Sequence, residues 1–163
     1  MSEILGALFK YALQALGIAA VVIVLYAALS TNKAQNTISQ TTQLQANIQS
    51  LYSGTGNFTS LATDVVVTAK LAPSDMVQND ALINAWNGRV TVGADAASGG
   101  FFINQPALPN EACAKVATGI TSYLNVQING GTTYGPASPL DEGVAALACS
   151  TDNNTVRFVF GRA

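Results

Sequence analysis

The run ILGALFKYALQALGIAAVVIVLYAAL occupies residues 4–29 and determines how the N-terminal part of the chain folds. Only Lys10 and Gln14 interrupt its apolar side chains. The run is apolar on all sides rather than on one face, which is typical of a helix surrounded by lipid or buried among other helices. As a helix it would reach about 39 Å, more than the ~30 Å hydrocarbon core of a bilayer requires. The sequence therefore predicts a hydrophobic N-terminal helix of membrane-spanning length over residues 1–29.

Three interpretations of this helix are open. A signal peptide is disfavoured, because Glu3 rather than a positive charge precedes the apolar run and no small-residue cleavage site follows it. A transmembrane anchor fits the length of the run. So does a helix that sits in lipid first and packs inside an assembly later.

Two charged residues, Glu3 and Lys10, bear on that choice, because ionisable groups at membrane depth are costly and usually paired. Their spacing of about two helical turns places them on nearly the same face but about 10.5 Å apart along the axis, too far for a pair within one helix. Parallel helices staggered by that distance could pair them, and Glu3 could also meet the N-terminal amine of a neighbouring chain. Alternatively, both side chains lie at the membrane surface.

Helical periodicity continues beyond Leu29 in a segment rich in Gln, Thr, Asn and Ala. Its less polar side chains recur at three- and four-residue spacing, which predicts an amphipathic helix packed on a domain over residues 30–53. This stripe consists of Ala34, Ile38, Thr41, Leu44, Ile48 and Leu51. The glycines of Gly54-Thr55-Gly56 are suited to cap the C terminus, so that one helix of about 50 residues is predicted.

The remainder, residues 54–163, is predicted to form a globular head. Asn87-Gly88 followed by the alternating residues 89–92 predicts a turn into a strand, which pairs as a hairpin with a second strand at 101–104. Further predicted elements are a short helix within 58–72, a loop and turn at 71–76, a helix capped by Asn110 that runs to about Ser122, and strands at 126–129 and 155–160. Residues 140–148 fit no element clearly. Antiparallel strands with a long helix across them make an α+β domain.

Composition argues against several classes of function. The chain has 163 residues, no histidine, a net charge of −2 and no basic run, so His-dependent triads, His-containing zinc sites and a nucleic-acid surface are not expected. Charged residues make up 10% of the chain, and only Lys10 and Lys33 are charged between residues 4 and 63. No P-loop, GxGxxG, GxSxG or EF-hand pattern occurs. Asp141-Glu142, in a loop-like stretch, is interpreted as a solvated acidic patch, and we expect no enzyme, no cofactor and no metal site.

The chain contains two cysteines, Cys113 and Cys149. A bridge between them would close a loop of about 37 residues, for which the chain-entropy relation gives about 3.8 kcal/mol of stabilisation. Such a pair would be oxidised in a domain outside a bacterial membrane. Two buried free thiols are the alternative.

Along the whole chain these features resemble mature type IV pilins. That family combines an apolar N-terminal helix carrying a glutamate near its start, an amphipathic continuation, an antiparallel sheet and a C-terminal region bounded by a disulfide. The chain looks similar to the type IVb branch, in particular to the major thin-pilus pilin of bacterial conjugative plasmids. The segments that carry this resemblance are 51–58 (LYSGTGNF), 71–76 (LAPSDM), 84–88 (NAWNG), and Ala112-Cys113 with Cys149 through the last strand.

The resemblance implies a type IV pilin fold and a Cys113–Cys149 disulfide. It further implies an N-methylated Met1 after removal of a leader, and Glu3 as the assembly glutamate, paired with Lys10 or with a neighbour's amine. The implied partners are other copies of the chain in a helical filament, the inner membrane, the prepilin peptidase and the pilus assembly machinery. Gly17 is a plausible place for the packed helix to loosen, because glycine weakens helices.

The expected function is that of the major structural subunit of a type IV pilus, held in the bacterial inner membrane and then assembled into an extracellular filament for adhesion or conjugative mating-pair contact. A minor pilin or a type II secretion pseudopilin is the nearer alternative, although pseudopilins often bind calcium through clustered C-terminal acids that this chain lacks. A membrane-anchored periplasmic binding module is the alternative of another class. It explains the apolar helix and a disulfide but not the amphipathic continuation.

Overall fold

The computed structural model describes residue 29 and residues 32–162, and within this range the first helix, α1, covers residues 32–52. The amide of Gly56 donates to the carbonyl oxygen of Tyr52 at 2.7 Å, and Gly56 has a φ of +57°. A left-handed glycine therefore follows the end of α1, as predicted. No helix in the described part of the chain is long and apolar enough to cross a membrane. The helix predicted over residues 1–29 lies outside the described residues except for Leu29.

The head is built around antiparallel strands. A small hairpin consists of β1 (Val77–Gln78) and β2 (Ala81–Leu82). The main sheet consists of β3 (Thr91–Asp95), β4 (Gly100–Leu108), β5 (Asn125–Ile128), β6 (Thr133–Tyr134) and β7 (Asn154–Phe160). Its spatial order is β3-β4-β7-β5-β6, and every neighbouring pair is antiparallel. The α+β architecture, including the predicted β3–β4 hairpin and the last strand, is confirmed.

The core contains the buried face of α1 and one face of the sheet. Alternate side chains of the two central strands are fully buried, because successive residues of a strand point to opposite faces. These are Phe101, Ile103 and Gln105 on β4 and Val156, Phe158 and Phe160 on β7, while α1 contributes Ala34, Leu44 and Ile48. The ring of Phe101 lies 5.0 Å from that of Phe58 and 5.5 Å from that of Phe160, centroid to centroid. Burying one such side chain contributes about 1.5–3 kcal/mol.

One position of the predicted stripe on α1 is wrong. Leu51 is 53% exposed, whereas Leu44 and Ile48 are fully buried. Leu51 lies at the edge of the buried face in the last turn of the helix. The neighbouring Tyr52 packs on the core instead, with its ring 5.2 Å from that of Phe58.

The connection between α1 and β3 contains short elements. A helix, α2, spans Thr63–Thr68, and a 3₁₀ turn spans Ser74–Met76. Both agree with the predicted short helix and turn. Met76 is fully buried, so this turn is fixed to the core by an apolar side chain.

The helix α3 spans Asn110–Gly119, which corrects two details of the prediction. Asn110 does not cap it; Pro109 is the N-cap, and Oδ1 of Asn110 accepts from the adjacent amide of Glu111. Pro109 already has the extended backbone that an N-cap requires, with φ −64° and ψ 157°, so the helix begins one residue after it. The helix also ends before Ser122.

The segment that fitted no element contains a helix, α4, over Glu142–Ala148. Oδ1 of Asp141 accepts a hydrogen bond from the amide of Val144 at 3.0 Å and caps its N terminus. Asp141 is therefore a capping residue just before the helix. Both side chains are exposed, as expected of a solvated acidic patch, but Glu142 belongs to the helix rather than to a loop. The helix has only seven residues, which is why its apolar periodicity is too short to read from the sequence.

Candidate functional site

The residues singled out from the sequence divide into two groups. Met1, Glu3, Lys10 and Gly17 lie outside the described residues. The cysteines lie inside them. The polar and charged contacts of the described residues lie in the head and in residues 32–52 of α1.

The disulfide joins the two C-terminal helices. Cys113 lies in the first half of α3 and Cys149 directly follows α4; their Cα atoms are 5.8 Å apart, and both residues are buried. The bridge encloses β5, β6 and α4 between its ends. The predicted disulfide is present, and it ties the end of α4 to α3.

A chain of hydrogen-bonded polar side chains crosses the core from α1 to the connection before β3. Gln105 on β4 is fully buried. Its Nε2 donates to Oγ1 of Thr41 on α1 at 2.9 Å, and its Oε1 accepts from Nδ2 of Asn84 at 3.3 Å. Since a buried polar group that loses its partner costs about 1–3 kcal/mol, these contacts fix the register of α1 against the sheet.

Asn84 organises a tight turn, residues 84–88, which we call the 84–88 turn. Its Oδ1 accepts from the amides of Trp86 at 3.0 Å and Gly88 at 2.9 Å, and its Nδ2 also donates to the carbonyl of Pro106 at 2.7 Å. A Cβ on Gly88 would lie 2.4 Å from that same carbonyl oxygen, so only glycine fits. Asn87 has a φ of +60°, a region that asparagine tolerates better than most residues.

Three glutamines of α1 make further polar contacts with separate parts of the head. They are Gln40 Nε2 to Asp75 Oδ2 at 2.6 Å, Ser122 Oγ to Gln45 Oε1 at 3.1 Å, and Gln49 Nε2 to the carbonyl of Gly161 at 2.9 Å. Thr37 Oγ1 and Gln40 Oε1 are buried without a hydrogen-bond partner among the described residues. Sequence reasoning missed this polar face, although Thr37, Thr41 and Gln45 recur at the four-residue spacing that would have revealed it.

The opposite face of the sheet carries an ion pair. Nη2 of Arg157 lies 3.0 Å from Oδ1 of Asp95, and the guanidinium carbon lies 3.9 Å from the centroid of the Phe102 ring. The other carboxylate oxygen accepts from Oγ of Ser98 at 2.7 Å and from its amide at 3.1 Å. The hydrogen bond from the Ser98 hydroxyl, followed by that from its amide and by Arg157, lowers the pKa of Asp95 below its ordinary value, although partial burial opposes the shift.

The head also exposes apolar and acidic surface near the disulfide. Leu147 on α4 is 81% exposed. A groove of about 520 Å³ is lined by residues of α3 and α4, namely Glu111, Ala114, Lys115, Thr118 and Glu142. Among the described residues, no group of three or more His, Cys, Asp or Glu side chains is arranged to hold a metal ion.

Comparisons with known proteins agree with this fold. A family model described as PilS N terminal matches residues 31–161. The crystal structure of TcpA, a type IV pilin from Vibrio cholerae El Tor biotype, is similar with a TM-score of 0.58 and 12% sequence identity, over 78% of this chain and 98% of that chain. At that identity the likeness shows the fold alone. No functionally curated protein matches the sequence.

Proposed function

The chain belongs to the PilS N-terminal family, and on that basis we propose that it is the major structural subunit of a type IV pilus. The observation that carries the proposal is the family match over α1 and the whole sheet, in a chain whose fold is that of a type IV pilin. Proteins of this family and fold are structural rather than enzymatic, and type IV pilins form extracellular pili. We further propose the finer role, that of a major subunit used for adhesion or conjugative contact.

The free face of α1 supports packing of this helix against copies of itself. Its exposed side chains between residues 32 and 51 are uncharged apart from Lys33; they are Asn32, Gln35, Asn36, Ser39, Thr42, Gln43, Ala46, Asn47, Ser50 and Leu51. Beyond Lys33, at the N-terminal end of the described helix, this face can be desolvated without burying unpaired charges, which would be strongly unfavourable. We propose that residues 1–29 hold the subunit in the inner membrane and afterwards form the filament core with the adjoining part of α1.

Glu3 and Lys10 give the proposal a residue-level test. Glu3→Ala is expected to leave the subunit in the membrane but to reduce surface filaments at least about tenfold, because removing one partner of a buried charge pair costs about 3–5 kcal/mol. Lys10→Ala tests the second partner in the same way. Filaments would be counted by electron microscopy and subunit levels by immunoblot.

Arg89→Ala is the matched control, since Arg89 is exposed on the head, outside α1 and outside the proposed pair. It should leave filament numbers unchanged. Normal filaments from Glu3→Ala cells would contradict the role of Glu3 without affecting the family assignment.

The function itself is tested on filaments sheared from cells, imaged without detergent and quantified by mass spectrometry. A major subunit should be the dominant protein and should show a methylated Met1, and its deletion should abolish the filaments. A few copies per filament would indicate a minor pilin, and an unpolymerised protein confined to the inner membrane would indicate a binding module or a pseudopilin. A regular helix through Gly17 in a cryo-electron map would contradict the proposed loosening there.

A further inference from the structure

Two Asn-Gly dipeptides, Asn87-Gly88 and Asn129-Gly130, stand in turns of the head. Asparagine followed by glycine is especially prone to spontaneous deamidation, because no side chain hinders the glycine nitrogen from attacking the asparagine carboxamide. The glycine N–Cγ bond forms, the Cγ–Nδ2 bond breaks, and ammonia leaves with the proton that the glycine nitrogen gives up. Water then opens the succinimide to aspartate or isoaspartate. Either product puts a new charge into a tight turn, and isoaspartate also lengthens the backbone.

In the 84–88 turn the attacking nitrogen is restrained. The amide of Gly88 is buried and donates to Oδ1 of Asn84 at 2.9 Å, and the carbonyl of Gly88 accepts from the amide of Asn84 at 2.9 Å. The backbone of Gly88 is also pressed against Pro106, where a Cβ would clash at 2.4 Å. The nitrogen of Gly88 cannot turn toward Asn87 without breaking these contacts. Asn87, in contrast, is exposed, and its carboxamide has no hydrogen bond within the described residues.

In the other dipeptide the attacked carboxamide is restrained. Oδ1 of Asn129 accepts from the amide of Thr155 at 2.8 Å. Its Nδ2 donates to Oδ1 of Asn154 at 2.8 Å and to the carbonyl of Ala148 at 3.1 Å. Asn154 is itself fully buried. Three hydrogen bonds therefore hold the carboxamide of Asn129 against β7 and the end of α4 and away from the nitrogen of Gly130.

We propose that Asn84 protects Asn87 from deamidation by holding the amide of Gly88, and that Asn87 is the residue modified first when the contact between Asn84 and Gly88 is lost. The second dipeptide is protected independently by the bonds of Asn129. Protection of both turns suits a subunit that spends its working life outside the cell, beyond the reach of intracellular repair. That benefit rests on the proposed function, whereas the protection rests on the contacts alone.

The first test uses the wild-type full chain in detergent at mildly alkaline pH, native in one sample and reduced and denatured in another. Peptide mass spectrometry follows the mass gain at Asn87 and Asn129 over days. Both residues are expected to deamidate at least about tenfold more slowly in the native chain, because reaction then requires a local opening of the fold. A native rate at Asn87 equal to the denatured rate overturns the proposal, even if no variant can be prepared.

The second test is Asn84→Ala, which removes the acceptor of the Gly88 amide. Deamidation is expected to rise at least about tenfold at Asn87, since one local opening step is no longer required, and to stay unchanged at Asn129 in the same molecules. Thr41→Val is the matched control, because it removes the hydrogen bond between Gln105 and Thr41 and leaves the Asn84–Gly88 contact intact. The deamidation rate at Asn87 should not change. An equal rise in the deamidation rates of Asn87 and Asn129 in Asn84→Ala would reflect global unfolding and would overturn the proposed protective role of Asn84.

Discussion

At the level of single residues, Asp95 joins three parts of the outer sheet face. Its two carboxylate oxygens hold Ser98 in the β3–β4 turn and Arg157 on β7, and the Arg157 guanidinium in turn covers the ring of Phe102. Because these bonds favour the charged carboxylate, they lower the pKa of Asp95 in the folded state relative to the unfolded chain. The group therefore stabilises the fold at neutral pH.

The lowered pKa of Asp95 predicts how the free energy of unfolding depends on pH. A depressed pKa contributes stability that is present above the unfolded pKa of about 3.9 and is lost as pH falls through it toward the folded value. Asp95→Asn should lower the free energy of unfolding by about 1 kcal/mol or less near pH 6, because the pair is partly exposed, and the difference should shrink as pH falls below the unfolded pKa. Urea unfolding followed by the fluorescence of Trp86, the chain's one tryptophan, measures this.

Ser98→Ala and Arg157→Met separate the two causes of the shift. Since the Ser98 hydroxyl is the larger cause, Ser98→Ala should reduce the pH dependence at least as much as Arg157→Met. A difference between wild type and Asp95→Asn that grows on acidification would contradict the assigned direction of the shift.

At the level of secondary-structure elements, α1 and α3 meet at a close contact that a glycine permits. A Cβ on Gly119, the last residue of α3, would lie 2.4 Å from Cδ1 and 3.2 Å from Cγ1 of Ile38 on α1. The end of the Ile38 side chain can shift, but Cγ1 is constrained by the position of the helix. This contact sets the separation of the two helices.

Gly119→Ala is therefore expected to destabilise the protein by about 1–2 kcal/mol, since overpacking typically costs about 1–3 kcal/mol and the gain in helix propensity offsets part of it. In an Ile38→Ala background, which removes both Cδ1 and Cγ1, the same change should be nearly neutral. Urea unfolding of the four proteins gives the coupling energy. Equal effects of Gly119→Ala in both backgrounds would show that the two side chains do not compete for space.

Most elements were predictable because their signals are local. Asn87-Gly88 before an alternating run predicted the β3–β4 region, and the glycines after Tyr52 predicted the end of α1. The helix α4 was not predictable, because its Asp141 cap is useful only to a helix that the disulfide and the core hold in place. The polar face of α1 was missed for a similar reason. Thr41 and Gln45 are satisfied by Gln105 and Ser122, which are distant in sequence and brought near only by the folded sheet.

At the level of the head as a whole, the sheet has two unequal halves. The half formed by β3, β4 and β7 packs against the core with long strands, whereas β6 has only two residues and lies at the edge. The disulfide encloses β5, β6 and α4. Asn154 holds the loop after Cys149 through hydrogen bonds with Thr151, and it is itself bonded to Leu108 and Asn129. The covalent link thus supports the half of the head that has the shorter strands.

Removing the bridge should therefore affect the two halves differently. The double variant Cys113→Ala/Cys149→Ala is expected to lose about 2–5 kcal/mol of unfolding free energy, because the unfolded chain gains the conformational freedom that the closed loop had removed. Hydrogen exchange should rise first at β5, β6 and α4, while β3 and β4 keep their protection until global unfolding. Alanine avoids leaving a buried hydroxyl without a partner, and wild type treated with reductant is the matched control. A uniform rise across the whole sheet would mean that the bridge stabilises the head as one unit, and the division into two halves would be wrong.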